Sequence, residues 1–312
     1  MPARISMGSG TSQPVLVVGS VAYDTIHTPV ASGERILGGS ASYAALAASY
    51  FAPTRMVGVV GHDFDPRDVE RLNRRGICLE GLQRDPSGPT FFWAGRYHEN
   101  WNRRETLDVQ LNVFASFRPD LPDSYRGTPY VLLANIGPDL QNHVVDSLSG
   151  SSFLVADSMD LWIKIARPEL ERLIRRVDVL ILNDSEAELF TGKSTPFQAG
   201  EILLRQGPRT LIIKKGEHGA ILMHKDGIYL LPAYPVTALH DPTGAGDSFA
   251  GAFLGSLAAM GDVGFASMRK ALRYATATAS LTVESFSCDR LESAGPGLIE
   301  SRVAELGRMT AH

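Results

Sequence analysis

The stretch HDPTGAGDSFAGAFLGSL, His240 to Leu257, sets Gly244, Ala245 and Gly246 between two acids, Asp241 and Asp247, at the head of a long run of small and apolar residues. Side chains this small let consecutive backbone N–H groups face one point, and a helix beginning there adds the positive end of its dipole. The product would be an anion hole with a carboxylate in the first turn beside it. Asp247 in that place is expected to have its pKa held low and to accept a proton from an attacking hydroxyl. An anion hole next to a base suits phosphoryl transfer to an alcohol, which depends mainly on positioning and charge stabilisation. The competing reading is an ordinary helix start with Asp247 matching the dipole, and these residues alone leave both open.

Other motifs fall away. FTGKST, Phe190 to Thr195, ends like the phosphate-binding loop GxxxxGK[ST], but Ala187 stands where the first glycine is required and the segment continues a helical pattern. Gly192 reads better as a helix C-cap, with Lys193 at the helix's negative end. No GxGxxG follows the first strand, so the dinucleotide fingerprint is absent. Cys78 and Cys288 match neither a disulfide framework nor a metal-ligand spacing, and read as incidental or buried thiols in a reducing cytosol.

Composition bounds the rest. A chain of 312 residues, 44% hydrophobic and 21% charged, has the profile of a soluble globular protein with room for one large α/β domain, or for one domain with a small appendage. A formal net charge of −4 argues against a nucleic-acid surface built on bulk positive charge. No apolar run reaches the roughly 18 residues of a membrane span; Phe249 to Met260 reads as a packed core helix instead. These features point to a cytoplasmic protein whose partner is a small molecule, with neither nucleic acid nor membrane involved. Residues 1–13, polar and rich in Gly and Ser, read as a disordered lead-in, and 14–312 as the folded domain.

To position the motif, the chain offers short apolar strands alternating with amphipathic helices: PVLVVGS, GGSASYAALAASYF, TRMVGVVG, DPRDVERLNRRG, and so on through YVLLANI, FLVADS, DVLILND and RTLIIKKG. That alternation predicts a doubly wound, mostly parallel sheet with helices on both faces. Two inserts break the rhythm, at about 26–37 and 79–112. The second carries Phe91, Phe92, Trp93, Tyr97 and Trp101, too many aromatics for a bare loop. The inserts are expected to pair as a small antiparallel flap, a β lid over the strand ends where ligands of open α/β sheets bind. Arg96, Arg103 and Arg104 in it could meet a substrate phosphate, or could be a solvated edge that discourages lid-to-lid aggregation.

The chain resembles the ribokinase-like (PfkB) family of carbohydrate and nucleoside kinases. DPTGAGDSFAG is similar to that family's C-terminal signature and GGSASYAALAASYF to its N-terminal one; VGSVAYDTI, VGVVGHDF, LNDSEAELF and IIKKGEHGAIL match further landmarks in order, from Val15 to about Val283. The resemblance implies a doubly wound α/β fold with a small β lid, and an ATP- and Mg²⁺-dependent phosphotransferase acting on a hydroxyl of a sugar or nucleoside. It implies that Asp247 is the general base, and that Gly244, Ala245 and Gly246 form the anion hole. Asn183 would contact the nucleotide phosphates and Glu186 would hold Mg²⁺ through water; on its own, NDSE is an ordinary helix start. Lys214, Gly216 and Gly219 would line the nucleotide loop. Asp24, Gly39 and Ser42 would bind the substrate, with Ser42 standing where the family has Asn, and Asn135 at a central strand end would join them. Asp63 would support the fold or the lid hinge, and Asp241 and Thr243 would offer oxygens to a monovalent cation such as K⁺. A homodimer through the lid and a catalytically silent ligand-binding relative also fall within what the resemblance allows.

Overall fold

The computed structural model describes residues 3–8, 12–101 and 104–311. Arg103, and residues 1–2 and 9–11 of the expected lead-in, lie outside the described residues. In chain order the strands are β1 (Val15–Val18), β2 (Ala22–His27), β3 (Ser32–Gly38), β4 (Thr54–Val60), β5 (Ile77–Arg84), β6 (Phe91–Tyr97), β7 (Arg104–Gln110), β8 (Tyr130–Leu133), β9 (Phe153–Asp157), β10 (Val179–Asn183), β11 (Thr210–Lys214), β12 (Ala220–His224) and β13 (Gly227–Leu231). The helices are α1 (Ser40–Ala48), α2 (Pro66–Arg74), α3 (Asp123–Arg126), α4 (Pro138–Ser147), α5 (Asp160–Ile165), α6 (Arg167–Ile174), α7 (Asp184–Thr191), α8 (Pro196–Leu204), α9 (Ala245–Met260), α10 (Phe265–Thr282), α11 (Asp289–Ser293) and α12 (Pro296–Met309).

The large sheet runs β13-β12-β11-β10-β9-β8-β1-β4-β5. From β11 to β5 every pairing is parallel, and β12 and β13 close one side as antiparallel strands. Successive residues of a strand point to opposite faces, so a strand covered on both faces must be apolar throughout. In β1, Val15 and Val17 enter one core together with α1, α9, α10 and α12, while Leu16 and Val18 enter a second core with α4, α6, α7 and α8. This is the doubly wound architecture. Helix α9 packs closely on α1: a methyl at Gly251 would collide with the carbonyl of Ala44. That contact fixes where the N-terminus of α9 emerges above the sheet.

A second sheet, β3-β2-β6-β7, forms the lid. Three expectations change here. The pairing is mixed: β2–β3 and β6–β7 are antiparallel, but the seam between the two hairpins, β2–β6, is parallel. Residues 79–84, placed in the second insert, instead belong to β5, the edge strand of the large sheet beside β4. Their apolar signal is diluted because an edge strand covers one face incompletely. The first lid strand also starts earlier, at Ala22. Asp63 ties the lid down, its Oδ1 accepting from the Thr90 N–H (2.7 Å) and hydroxyl (2.8 Å) and its Oδ2 from Arg35 Nη2 (2.8 Å).

Within the stretch read as a disordered lead-in, Ile5 is buried and its N–H donates to the carbonyl of Tyr50 at 2.8 Å. Its one large aliphatic side chain, isolated among polar residues, gave too weak a local pattern to foretell that docking. Gly192 does cap α7 in the left-handed conformation, so FTGKST is a helix end. Cys78 and Cys288 are free thiols, exposed and buried respectively. Among the described residues no helix is long and apolar enough to cross a membrane.

Candidate active site

The C-terminal ends of the parallel strands and the N-terminus of α9 meet beneath the lid. Gly244 precedes α9 with φ 77°, a left-handed conformation that favours glycine, and a side chain there would collide with the ring of Tyr43. Ala245 N–H donates to the Pro242 carbonyl at 3.3 Å and Ser248 N–H to that of Gly244 at 2.8 Å. The N–H groups of Gly246 and Asp247 are left without a backbone acceptor, as the first turn of a helix requires. Asp247 thus stands beside these groups, its own N–H directed to its carboxylate.

Its charge state differs from the expectation. Burial pushes the Asp247 carboxyl up to about 7, the Asp157 carboxylate pushes the same way, and Lys214 and Arg104 only partly offset them. The helix dipole argument held for an exposed first turn; enclosure beneath the lid outweighs it.

On the large-sheet side, Lys214 ends β11, Asn183 ends β10 and Asp157 ends β9. Lys214 Nζ lies 2.9 Å and 3.1 Å from the two carboxylate oxygens of Asp157. It also comes within 3.0 Å of where a Cβ on Gly246 would sit. Burial alone would lower the Lys214 ammonium, but the carboxylates of Asp157, Glu186 and Asp247 raise it and keep it charged. NDSE forms a capping box: Asn183 Oδ1 accepts from Glu186 N–H (2.8 Å) and Glu186 Oε2 from Asn183 N–H (2.7 Å). The cap uses one oxygen of Glu186, whose pKa is pushed up to about 7 by burial. Gly216 and Gly219 shape the turn between β11 and β12, where the Lys215 N–H donates to the Gly219 carbonyl at 2.7 Å.

On the lid side, Asp24 is buried in β2, directly opposite Trp93 of β6. Any side chain on Gly38 would overlap its carboxylate. Burial, with Asp241 and Asp247 nearby, pushes Asp24 up to about 8, while Arg104 pulls the other way. Gly39, with φ 91°, passes the chain from β3 into α1. The Trp93 ring lies across Gly95, and the Arg104 guanidinium stands 5.2 Å from the centre of that ring. Thr243 Oγ1 donates to the Tyr97 hydroxyl at 3.1 Å, joining the lid to the loop before α9. Asp241 is fully buried; its Oδ1 accepts from Thr243 N–H at 2.9 Å, and its Oδ2 has no hydrogen-bond partner among the described residues. Burial pushes Asp241 up to about 6.

Two candidates have less to offer. Ser42 is enclosed within α1 and its hydroxyl has no partner among the described residues, while the next residue, Tyr43, is the one that touches Gly244. The Asn135 amide is held by Trp162 Nε1, which donates to its Oδ1 at 2.9 Å, and by a 3.1 Å contact from its Nδ2 to Met159 Sδ. Asp157 was not singled out from the sequence. The signal was there: an acid ending an otherwise apolar buried strand, FLVAD, needs a cation or a ligand.

Comparison with known proteins agrees with this geometry. The profile of the family described as pfkB family carbohydrate kinase matches residues 153–294. A cytidine kinase of Thermococcus kodakarensis is 28% identical over 248 residues, covering 77% of this chain and 87% of that protein. A 2-dehydro-3-deoxygluconokinase of Thermoproteus tenax is 28% identical over 265 residues, covering 80% of each. The solved structure of Arabidopsis thaliana ribokinase complexed with ribose and ATP superposes with a TM-score of 0.76 at 20% identity, over 94% of this chain and 99% of that one, which shows the fold. The N-terminal and C-terminal signatures thus fold against one pocket, and over residues 153–294 the chain is similar to the pfkB family of carbohydrate kinases.

Proposed function

We propose that this protein is an ATP-dependent kinase that phosphorylates a hydroxyl of a small sugar, with Asp247 as general base. The observation that carries the reading is the position of Asp247. It sits in the first turn of α9, with the Lys214 ammonium against the neighbouring Gly246 and the hydroxyl-binding candidate Asp24 within electrostatic reach. The substrate hydroxyl gives its proton to the Asp247 carboxylate while its oxygen bonds to the γ-phosphorus. The bond from that phosphorus to the bridging oxygen breaks, and its electron pair leaves with ADP. The first-turn N–H groups, framed by Gly244, Ala245 and Gly246, stabilise the charge on the phosphoryl oxygens. A base titrating near 7 is matched to neutral pH.

Asp24 accepts hydrogen bonds from the sugar hydroxyls, with Gly39, Ser42 and Asn135 as neighbouring candidates. Asn183, Lys214, Gly216 and Gly219 face the nucleotide. Mg²⁺ neutralises the phosphate chain when bound, and Glu186 would hold it through water. Its second carboxylate oxygen is left for that role, since the capping box uses only Oε2. The buried, unpartnered Asp241 Oδ2, with Thr243 beside it, fits a monovalent cation such as K⁺.

A nucleoside is the second reading, favoured by Trp93, a half-buried aromatic plane in register with Asp24 on which a base could stack. The same proposal places the protein in the cytoplasm, where ATP is supplied and both free thiols stay reduced. It also includes a homodimer through the lid. All of β7 is exposed, and Leu107 and Val109 are open on it. The test is ADP release with Mg·ATP against pentoses, hexoses, phosphosugars, polyols and nucleosides, using Asp247→Asn as the blank. A strong response lost in the variant supports the reading and names the substrate class. Equal ADP release by both proteins overturns the role of Asp247.

A further inference from the structure

We propose that Asp157 is a positioning residue for the transfer, holding the Lys214 ammonium against the first turn of α9 where it meets the donor's phosphates. The inference rests on the kinase reading above and adds a residue that touches neither substrate. Three observations lead to it. First, β9 and β11 are not neighbours: β10 lies between them, with Ile181 opposite Asp157 and Asn183 opposite Lys214. The lysine side chain therefore reaches across the mouth of β10 to meet its partner. Second, the end of that reach is the wall of the anion hole, since Nζ lies 3.0 Å from the vacant Cβ position of Gly246. Third, the pair is sheltered, with Asp157 5% and Lys214 19% exposed as side chains, so salt screens it little.

The geometry also says what happens without Asp157. Lys214 would then have Glu186 and Asp247 as its nearest carboxylates. An ammonium drawn to Asp247 would favour its ionised form, and loss of the Asp157 charge acts in the same direction. Arg104 and Asp24, the other charged groups facing Asp247, are on the lid and stay in place. Asp157 thus keeps the cation on the phosphate side and off the base.

The experiment combines calorimetric binding of Mg·ADP with steady-state kinetics for Asp157→Asn, Asp157→Glu, Lys214→Met and the Asn/Met double variant. Thermal unfolding serves as the control for folding. Asp157→Asn and Lys214→Met are expected each to weaken Mg·ADP binding by about tenfold or more, the scale of a lost charge-assisted contact. The double variant should be no weaker than Lys214→Met alone. The low-pH limb of kcat/KM should move down in pH for Asp157→Asn. Asp157→Glu keeps the buried pair but shifts Nζ, and should fold and show an intermediate loss, which maintains the test if Asp157→Asn does not fold. Wild-type nucleotide affinity and an unmoved pH limb in the Asp157 variants would overturn the proposal, as would losses that multiply in the double variant. A wild-type protein that neither binds nucleotide nor phosphorylates any acceptor sinks the kinase reading and this one together. Normal wild-type activity with indifferent Asp157 variants sinks this one alone.

Discussion

At the scale of single residues, Asp247→Asn should lower kcat by about 10²–10⁴-fold while Mg·ADP binding, followed by calorimetry, stays within a few-fold of wild type. The wild-type kcat/KM should fall as pH drops through about 7, because protonated Asp247 cannot accept the hydroxyl proton. Asp24 titrates higher, at about 8, and is still protonated across that limb, so Asp24→Asn should leave the limb close to its wild-type position in the same pH series. The proposed base could be singled out in the chain because small residues and an acid at a helix start constrain chemistry locally. Its pKa was not, since enclosure is set by a lid from elsewhere in the sequence. Asp157 was missed for the same reason: its partner, Lys214, stands two strands away.

At the scale of elements, the α1–α9 contact positions the first turn of α9, where the anion hole is proposed. Gly251→Ala would press a methyl onto the Ala44 carbonyl, so urea unfolding should show a loss of about 1–3 kcal/mol, with kcat reduced as the N-terminus of α9 shifts. The capping box of α7 joins stability to the proposed nucleotide site, since Asn183 and Glu186 belong to both. Asn183→Ala should cost about 1 kcal/mol in the same measurement. The buried strands and amphipathic helices could be read directly, since coverage on both faces leaves an unbroken apolar run. The lid was read less well. Register and direction across β2–β6 depend on how β4 and β5 place the second hairpin, and no local pattern in TFFWAGRY encodes that.

At the scale of the whole molecule, the pocket concentrates acids whose pKa values are raised by burial: Asp24 to about 8, Asp247 and Glu186 to about 7, and Asp241 to about 6. The native state therefore binds protons more tightly than the unfolded chain, whose carboxylates titrate near 4. Between about pH 4 and 8 the folded form loses that advantage as pH rises. Scanning calorimetry on the ligand-free protein should give a lower Tm at pH 8 than at pH 6, and Asp24→Asn should raise Tm at pH 8 by roughly 2 °C or more. The parallel seam of the lid has a different consequence, one of timing. Neither lid hairpin can find the other until α1, β4, α2 and β5 have been laid down between them, so loop closure delays their union. In pulse-labelled hydrogen exchange during refolding, the amides of β8 to β11 should gain protection before those shared by β2 and β6, and the floor of the pocket should exist before its roof.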